Sequence, residues 1–373
     1  MRIGILTSSR ADFGIYLPLI KELKNNNFFT ISLIVFGTHL SEKHGYTINE
    51  IIESRVEPQF VLEPLQFGDT PGEIAKTITA TFNQFDKFWS TNYQNFDLVF
   101  CLGDRYEMFA AVTSGIPFGI KFAHFHGGET TLGAIDNIYR HSITLCSSLH
   151  FTAAEQFSNR VCSIIDTKEN IYEVGSISLD SFDKNIYLTQ EEFLNKWHVD
   201  FRNPTILVTI HPETVAYQEV QNHTIEIQKT LIKLSEEFQI LITMPNADTH
   251  GMIVRNMINE NLKSKKNIFV FENLGKQSYF TAMKYCSFML GNTSSGIIEA
   301  ASFNKFVIDL GERQKGRLTS GNVFNAKFNC KDILEKVAFI RGEKFKYTGT
   351  NKYYKSNVVS SIIKILKKYS IDK

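Results

Sequence analysis

The sequence predicts an α/β protein of two domains, each a parallel sheet covered by helices on both faces. Three observations lead there. The chain has 373 residues, which at about 150 residues per domain allows two. Short apolar or β-branched runs recur along it, each followed by a polar or glycine-bearing turn and then a helically periodic segment. Apolar runs of this kind suit parallel strands buried on both faces.

Taken in order, Ile3 to Leu6 and Ile31 to Phe36 are the first strands. Ile74, Ile78, Phe82, Phe85 and Trp89 then fall on one helical stripe, so a helix packs on the sheet there. Leu98 to Leu102 and Ile120 to Phe125 are further strands, and Ile171 to Val174 is strand-like before Gly175-Ser176 and a polar stretch. The domain boundary is placed in that stretch, dividing residues 1–178 from residues 179–355. A helix around Gln190 to Trp197 opens the second domain, and strands follow at Ile206 to Ile210, Ile240 to Met244, Ile268 to Phe271, Phe288 to Leu290 and Phe306 to Leu310. Ile225, Leu231, Ile232 and Leu234 mark the helix ahead of the Ile240 strand. Within residues 356–373, Val358, Val359, Ile362, Ile363, Ile365 and Leu366 make an amphipathic final helix, expected to cross back onto the first domain.

Composition removes several classes of function. Lys plus Arg (40) and Asp plus Glu (39) leave a net charge of +1, so no global field draws the protein to nucleic acid or an anionic membrane. Hydrophobic residues at 43% argue against disorder. No apolar run approaches the ~20 residues of a membrane span. The start reaches polar Thr7 too early for a signal peptide, and a cytoplasmic location is expected. Five scattered cysteines without C-x-x-C spacing read as reduced thiols, mostly buried. Neither G-x-G-x-x-G after the first strand nor G-x-x-x-x-G-K-[ST] is present, which disfavours dinucleotide redox chemistry and P-loop hydrolysis.

In open α/β sheets ligands bind beyond the carboxyl ends of the strands, and there the sequence is polar: Thr7-Ser8-Ser9-Arg10, Gly103-Asp104-Arg105-Tyr106-Glu107, His124-Phe125-His126-Gly127-Gly128-Glu129, His211-Pro212-Glu213-Thr214, Asn246-Ala247-Asp248, Asn292 to Gly296 and Gly311 to Arg317. Two facing sheets with such edges would enclose one polar cleft. Asn292-Thr293-Ser294-Ser295-Gly296 leads into a helix start able to cradle phosphate, with plain N-capping by Ser294 or Ser295 as the simpler alternative. A helix terminus contributes only ~0.3 to 1 kcal/mol toward an exposed anion, so diphosphate binding needs fixed charges, for which Arg10, His211, Arg313 and Arg317 are candidates. Glu299 has the two acceptor oxygens that adjacent ribose hydroxyls require, or complements the helix dipole. Asp104, Glu107, Glu129 and Asp136, with His124, His126, His141 and His211, supply acid/base groups, each contributing about 10²- to 10⁴-fold when positioned. His124 and His126, two apart on a strand, should face the same side; no thiolate or H-E-x-x-H companion favours a metal. Asp136 and Arg140 are spaced either for an i,i+4 ion pair worth ~0.2 to 0.5 kcal/mol or for joint projection into the cleft.

As an ordered set these motifs resemble the hydrolysing UDP-N-acetylglucosamine 2-epimerases, in particular the sialic-acid branch that releases free N-acetylmannosamine. The resemblance rests on Ser9-Arg10-Ala11-Asp12-Phe13-Gly14, Leu102-Gly103-Asp104-Arg105-Tyr106-Glu107, His126-Gly127-Gly128-Glu129, Arg140-His141-Ser142, His211-Pro212-Glu213-Thr214, Asn246-Ala247-Asp248, Asn292 to Gly296 and Arg313-Gln314-Lys315-Gly316-Arg317, over nearly the whole chain. It implies a GT-B-like fold of two Rossmann-like, doubly wound domains with the active site in the interdomain cleft. It also implies anti elimination of UDP through 2-acetamidoglucal followed by hydration, with no metal and no redox cofactor.

Carried over, Arg10, His211, Ser294, Ser295 and Arg313 look like diphosphate ligands, with His211 also a catalytic candidate, and Glu299 looks like the ribose anchor. Asp12, Asn246, Asp248, Gly296 and Lys315 lie in the matching motifs and count with the UDP-sugar contacts. Asp104, Glu129 and Asp136 are the acids for proton transfer and hydration, and Arg140 orients one of them. His126 stands where many members carry Glu, so the base at C2 is Glu129 or His126 itself. Phe271 to Tyr279 is expected to border the nucleobase, and a homodimer or homotetramer is implied. The alternatives are a 2-epimerase of UDP- or GDP-linked N,N'-diacetylbacillosamine, a GT-B glycosyltransferase, and a nucleotide-sugar sensor without chemistry.

Overall fold

The structure is a computed structural model that describes residues 1–371 apart from 43–44, 64–66, 181, 183–186, 214–218 and 246–250. The chain divides into two compact units: Met1–Glu129, Asp136–Asp183 and Tyr353–Lys373 form the first, and Thr130–Ile135 with Lys184–Lys352 form the second. Sequence reading expects one crossing near 178 and the final helix; the short 130–135 segment carries no shift in composition that would announce it.

The first unit holds strands β1 (Arg2–Thr7), β2 (Thr30–Val35), β3 (Phe60–Val61), β4 (Leu98–Leu102), β5 (Phe122–Phe125), β6 (Leu149–Thr152) and β7 (Ile171–Glu173). They form a seven-stranded sheet in the order β3-β2-β1-β4-β5-β6-β7, every pair parallel. The order reverses on either side of β1, the doubly wound pattern. Its helices are α1 (Arg10–Lys24), α2 (Ile48–Glu53), α3 (Pro71–Asn92), α4 (Tyr106–Gly115), α5 (Asp136–Leu145) and α6 (Glu155–Ile165).

The second unit contains α7 (Gln190–Trp197), β8 (Thr205–Thr209), α8 (Val220–Leu234), β9 (Gln239–Thr243), α9 (Gly251–Met257), β10 (Ile268–Phe271), α10 (Gly275–Tyr285), β11 (Phe288–Gly291), α11 (Ser294–Ile298), β12 (Val307–Leu310), β13 (Val323–Ala326) and α12 (Cys330–Gly342). Its six-stranded sheet runs β10-β9-β8-β11-β12-β13, again with parallel pairs. The last helix, α13 (Val358–Ile371), belongs to the first unit. These are two doubly wound parallel sheets flanked by helices.

Strand geometry explains the continuous apolar runs. Successive side chains point to opposite faces: on β4, Leu98, Phe100 and Leu102 join one core, while Val99 and Cys101 join another. The first of these cores is covered by Tyr16, Leu19 and Ile20 of α1 and by Val358, Ile362 and Leu366 of α13. Asp180 Oδ1 accepts a hydrogen bond from Val359 N at 3.0 Å, satisfying an otherwise orphaned donor at the head of α13. The other is covered by Phe85, Phe88 and Trp89 of α3 with Met108 and Val112 of α4.

The α3 stripe is rotated from the one expected. Phe82 is 39% exposed, because Phe85, Phe88 and Trp89 satisfy the i, i+3, i+4 spacing on the face that meets the sheet. Ile225 likewise points outward on α8, where Ile227, Leu231 and Leu234 are buried. No helix among the described residues is long and apolar enough to cross a membrane.

Candidate active site

In the first unit, β1 runs out into Ser8-Ser9, and Asp12, on the first turn of α1, closes that turn. Its Oδ2 accepts hydrogen bonds from Ser8 N (2.8 Å), Ser8 Oγ (2.7 Å) and Ser9 N (3.1 Å), and its Oδ1 accepts from Ser9 Oγ (2.8 Å). A buried carboxylate with four internal donors is a structural cap; it shapes the loop that presents Arg10. Behind this loop His39 bridges Thr7 Oγ1 (2.9 Å) and Thr47 Oγ1 (3.0 Å). Burial, reinforced by the Arg105 charge, pushes its pKa down to about 3, so the ring is neutral.

The acid/base candidates gather around Arg140. Its guanidinium is 1% exposed; Nη2 donates to Asp104 Oδ2, and Nη1 donates to the carbonyl oxygen of His126 at 2.9 Å. Arg140 therefore joins the end of β4 to the end of β5. His126 has φ +61°, a left-handed conformation uncommon for a side chain of this kind and a mark of functional constraint. It lies one residue past β5, so the strand alternation that would align it with His124 is broken. Its Nδ1 is 2.7 Å from Glu129 Oε1, and the two side chains are 8% and 1% exposed.

His124 serves a different purpose. Its Nε2 lies 2.9 Å from the Gly103 carbonyl and its Nδ1 3.1 Å from Thr144 Oγ1. Burial pushes its pKa down to about 3, so Nε2 carries the proton toward the carbonyl and Nδ1 accepts from the hydroxyl. The ring thus fixes the residue preceding Asp104. Glu107 is occupied by Arg105, through Nη2 at 3.0 Å and Nε at 3.2 Å, and is fully buried. Asp136 is the first residue of α5, where the helix dipole favours a carboxylate. His141 is half-buried beside Arg140 and Arg160, which with burial lower its pKa.

In the second unit three strand ends are laced together. Asn292, just past β11, accepts from His211 N at 2.7 Å and donates to His211 O at 2.9 Å. Gln314 Nε2 donates to the Asn292 carbonyl at 2.7 Å, and Arg313 Nη1 donates to the Pro212 carbonyl at 3.0 Å. Glu213 accepts from Glu312 N, so its carboxylate holds the Gly311–Arg317 turn. His211, Arg313 and the turn carrying Lys315 are thereby brought together; Lys315 pairs with Glu312, both 61% exposed.

Ser294 and Ser295 open α11, which is only five residues long. Ser295 Oγ lies 2.6 Å from the Tyr279 hydroxyl, whose pKa burial pushes up to about 12. Gly296 allows close packing, since a Cβ there would lie 2.9 Å from Val307 Cγ1. Glu299 is buried and ends the helix as its C-cap, beyond the first turn on which sequence reading puts it. Phe271 is taken up by an edge contact with Trp197 at 5.0 Å. Asn246, Asp248 and Thr214 lie outside the described residues.

Sequence reading misses His39, whose signal is the same strand-end rule applied after β2, and Asp309, a single acid inside an apolar strand. Asp309 is 1% exposed, its Oδ2 accepts from Asn325 at 3.2 Å, and its Oδ1 has no partner among the described residues. Burial pushes its pKa up to about 8, helped by Glu213 and Glu312 and opposed by Arg317. Among the described residues no three His, Cys, Asp or Glu side chains converge as a metal site.

Known proteins share this architecture. A family model described as UDP-N-acetylglucosamine 2-epimerase matches residues 21–367. The GDP/UDP-N,N'-diacetylbacillosamine 2-epimerase (hydrolyzing) of Campylobacter jejuni is 30% identical over 92% of this chain and 88% of its own. The polysialic acid biosynthesis protein P7 of Escherichia coli is 28% identical over 99% of this chain and 94% of its own. Among solved structures, UDP-GlcNAc 2-epimerase from Neisseria meningitidis bound to UDP-GlcNAc superposes with a TM-score of 0.82 at 18% identity, covering 99% of this chain and 100% of that one. That likeness concerns the fold, which is GT-B-like.

Proposed function

Since the chain belongs to the UDP-N-acetylglucosamine 2-epimerase family, we propose that it is a hydrolysing 2-epimerase converting UDP-GlcNAc and water to N-acetylmannosamine and UDP. In this reading a base removes the proton from C2 while the C1–O bond to the diphosphate breaks, leaving a C1=C2 double bond and free UDP. Water then adds, its oxygen to C1 and a proton to C2 from the opposite face, giving the 2-epimer. The reaction is redox-neutral and needs a base, an acid and an anion site.

The observation that carries the proposal is the buried His126–Glu129 pair at 2.7 Å. A carboxylate that accepts the Nδ1 proton of an imidazole leaves Nε2 free to take a proton and stabilises the charge that forms. His126 is thus assigned the C2 proton, with Glu129 as its partner. Asp104, held by Arg140, and Asp136 are assigned proton delivery and activation of water. His211, Ser294, Ser295 and Arg313 are assigned the diphosphate and Glu299 the ribose, with Arg10 and Lys315 adding positive charge. Asp12 acts by shaping the Arg10 loop and Gly296 by letting α11 pack closely.

A second reading keeps the chemistry and changes the sugar to N,N'-diacetylbacillosamine on UDP or GDP, favoured by the Campylobacter relative. Proton NMR of EDTA-treated protein with UDP-GlcNAc in deuterated water tests both. Free UDP with N-acetylmannosamine deuterated at C2 is the expected result. An inert mixture that becomes active with the diacetylbacillosamine nucleotide selects the second reading; UDP release only with an added acceptor would mean a glycosyltransferase, and no turnover with any substrate a sensor. The product would feed synthesis of sialic-acid-type sugars for surface polysaccharide. A dimer or tetramer in the cytoplasm is proposed, with light scattering to test the assembly.

A further inference from the structure

Residues 130–135 lie between two candidate acids, Glu129 and Asp136, yet they pack with the second unit. The packing is backbone on backbone. Leu132 N donates to the Lys315 carbonyl at 2.9 Å. A Cβ on Gly133 would run into the carbonyl of Glu312 and lie 2.6 Å from Arg313 N. On the other side Gly316, at φ +88°, would set a Cβ 3.1 Å from Thr130 Cγ2 and 3.3 Å from Leu132 Cγ. Thr130, Thr131, Gly133 and Ala134 are buried, while Leu132 and Ile135 are exposed.

Both ends of this contact lead to assigned groups. The turn it rests on carries Arg313 and Lys315 and is fixed by Glu213 and Gln314. In the chain, Thr130 follows Glu129, the partner of His126, and Ile135 precedes Asp136, whose helix carries Arg140 and through it Asp104. Glycine at the contact leaves no flexible side chain to absorb a displacement, and close-packed backbones transmit small shifts.

We infer that residues 130–135 form a strap that couples occupancy of the Arg313 turn to the placement of Glu129 and Asp136, with Gly133 and Gly316 as positioning residues. This rests on the assignment of the Arg313 turn to diphosphate and of the two acids to proton transfer. An anion seated on the turn orders the strap, and the strap orders the acids at both its ends. Displacing a reacting group by about 1 Å costs on the order of 10²-fold in rate, so a slack strap should lower kcat while leaving nucleotide binding intact.

The test uses the full chain, Gly133→Ala, and a variant with two glycines inserted between Ile135 and Asp136, which adds slack without a clash. UDP is the probe, with affinity by calorimetry, amide hydrogen exchange with and without UDP, and turnover. The expected result in the wild type is UDP protection of both the Arg313 turn and the first turn of α5. In the insertion variant protection should persist at the Arg313 turn and vanish in α5, with UDP affinity within about threefold and kcat down on the order of 10²-fold. Equal α5 protection in the two proteins, or none in either, overturns the strap, as does an insertion variant that turns over like the wild type or loses UDP binding. A Gly133→Ala protein that folds, binds UDP and keeps full kcat overturns it as well. Hydrogen exchange reads the coupling even if the wild type turns over no sugar nucleotide, the result that would instead defeat the epimerase assignment.

Discussion

Removing Asp104 should destabilise the first unit more than removing Arg140, although the two share one ion pair. The side chain of Arg140 is 2% exposed and that of Asp104 24%. In Asp104→Ala the guanidinium stays buried with one partner gone, a defect that costs about 3 kcal/mol or more. In Arg140→Met the apolar chain fills most of the vacated space and water reaches the Asp104 carboxylate. The remaining loss, chiefly the bond to the His126 carbonyl, is about 1 to 1.5 kcal/mol. For a unit of roughly 200 residues, each kcal/mol lowers the melting temperature by about 2–4 °C. Asp104→Ala should then melt about 6–12 °C below the wild type and Arg140→Met about 2–6 °C below it, by circular dichroism at neutral pH. An Arg140→Met protein that melts at or below the temperature of Asp104→Ala would show that burial of the guanidinium is not what makes this pair matter.

Other outcomes follow from the same geometry. Glu129→Gln and Asp136→Asn, and likewise Asp104→Asn, should each lower kcat by about 10²- to 10⁴-fold with UDP affinity retained, measured by UDP release; full activity in any of them removes that residue from the mechanism. Three buried neutral histidines, His39 and His124 with pKa near 3 and His150 near 4, take up no proton in the folded state where the unfolded chain does. Stability must fall as pH drops from about 6.5 toward 3 to 4, and urea unfolding across that range should show it. Asp309 acts with the opposite sign: its folded pKa of about 8 lies above its ordinary 3.8, so between those values the folded state holds more protons and its contribution falls as pH rises. Asp309→Asn should therefore raise the melting temperature more at pH 8.5 than at pH 5, and an equal shift at both would refute the assignment.

Local and strand-end features were legible because the physics that sets them is short-ranged. Continuous apolar runs located β1, β4, β8 and β9, and the polar residues after each run pointed to Asp104, His126, His211 and Arg313. β6 was passed over because His150 interrupts its apolar run, and β3 because two residues carry no periodicity. The orientation of α3 was misread since Phe82 and Phe88 are equally apolar and only tertiary packing chooses between them. Pairings across distance were out of reach: Arg140 meets Asp104, 36 residues away, while sequence spacing offered Asp136. The left-handed backbone of His126 was equally invisible, because nothing in the residue type announces it.

Asn292 shows how narrowly a single position can be specified. Its amide closes a ring with His211, one edge giving a proton and the other taking one, so it reproduces a rung of the parallel ladder one step beyond the last paired residues of β8 and β11. Aspartate has nearly the same shape and volume, but it would set a carboxylate oxygen against the His211 carbonyl and turn one attraction of the ring into a repulsion. Conversion of this one amide nitrogen to oxygen, by mutation or by slow spontaneous hydrolysis of the side chain, would open the ring with scarcely any change in size. The loops carrying His211 and Gln314 would then lose their common anchor, and chemical ageing at a single atom would be felt at two strand ends.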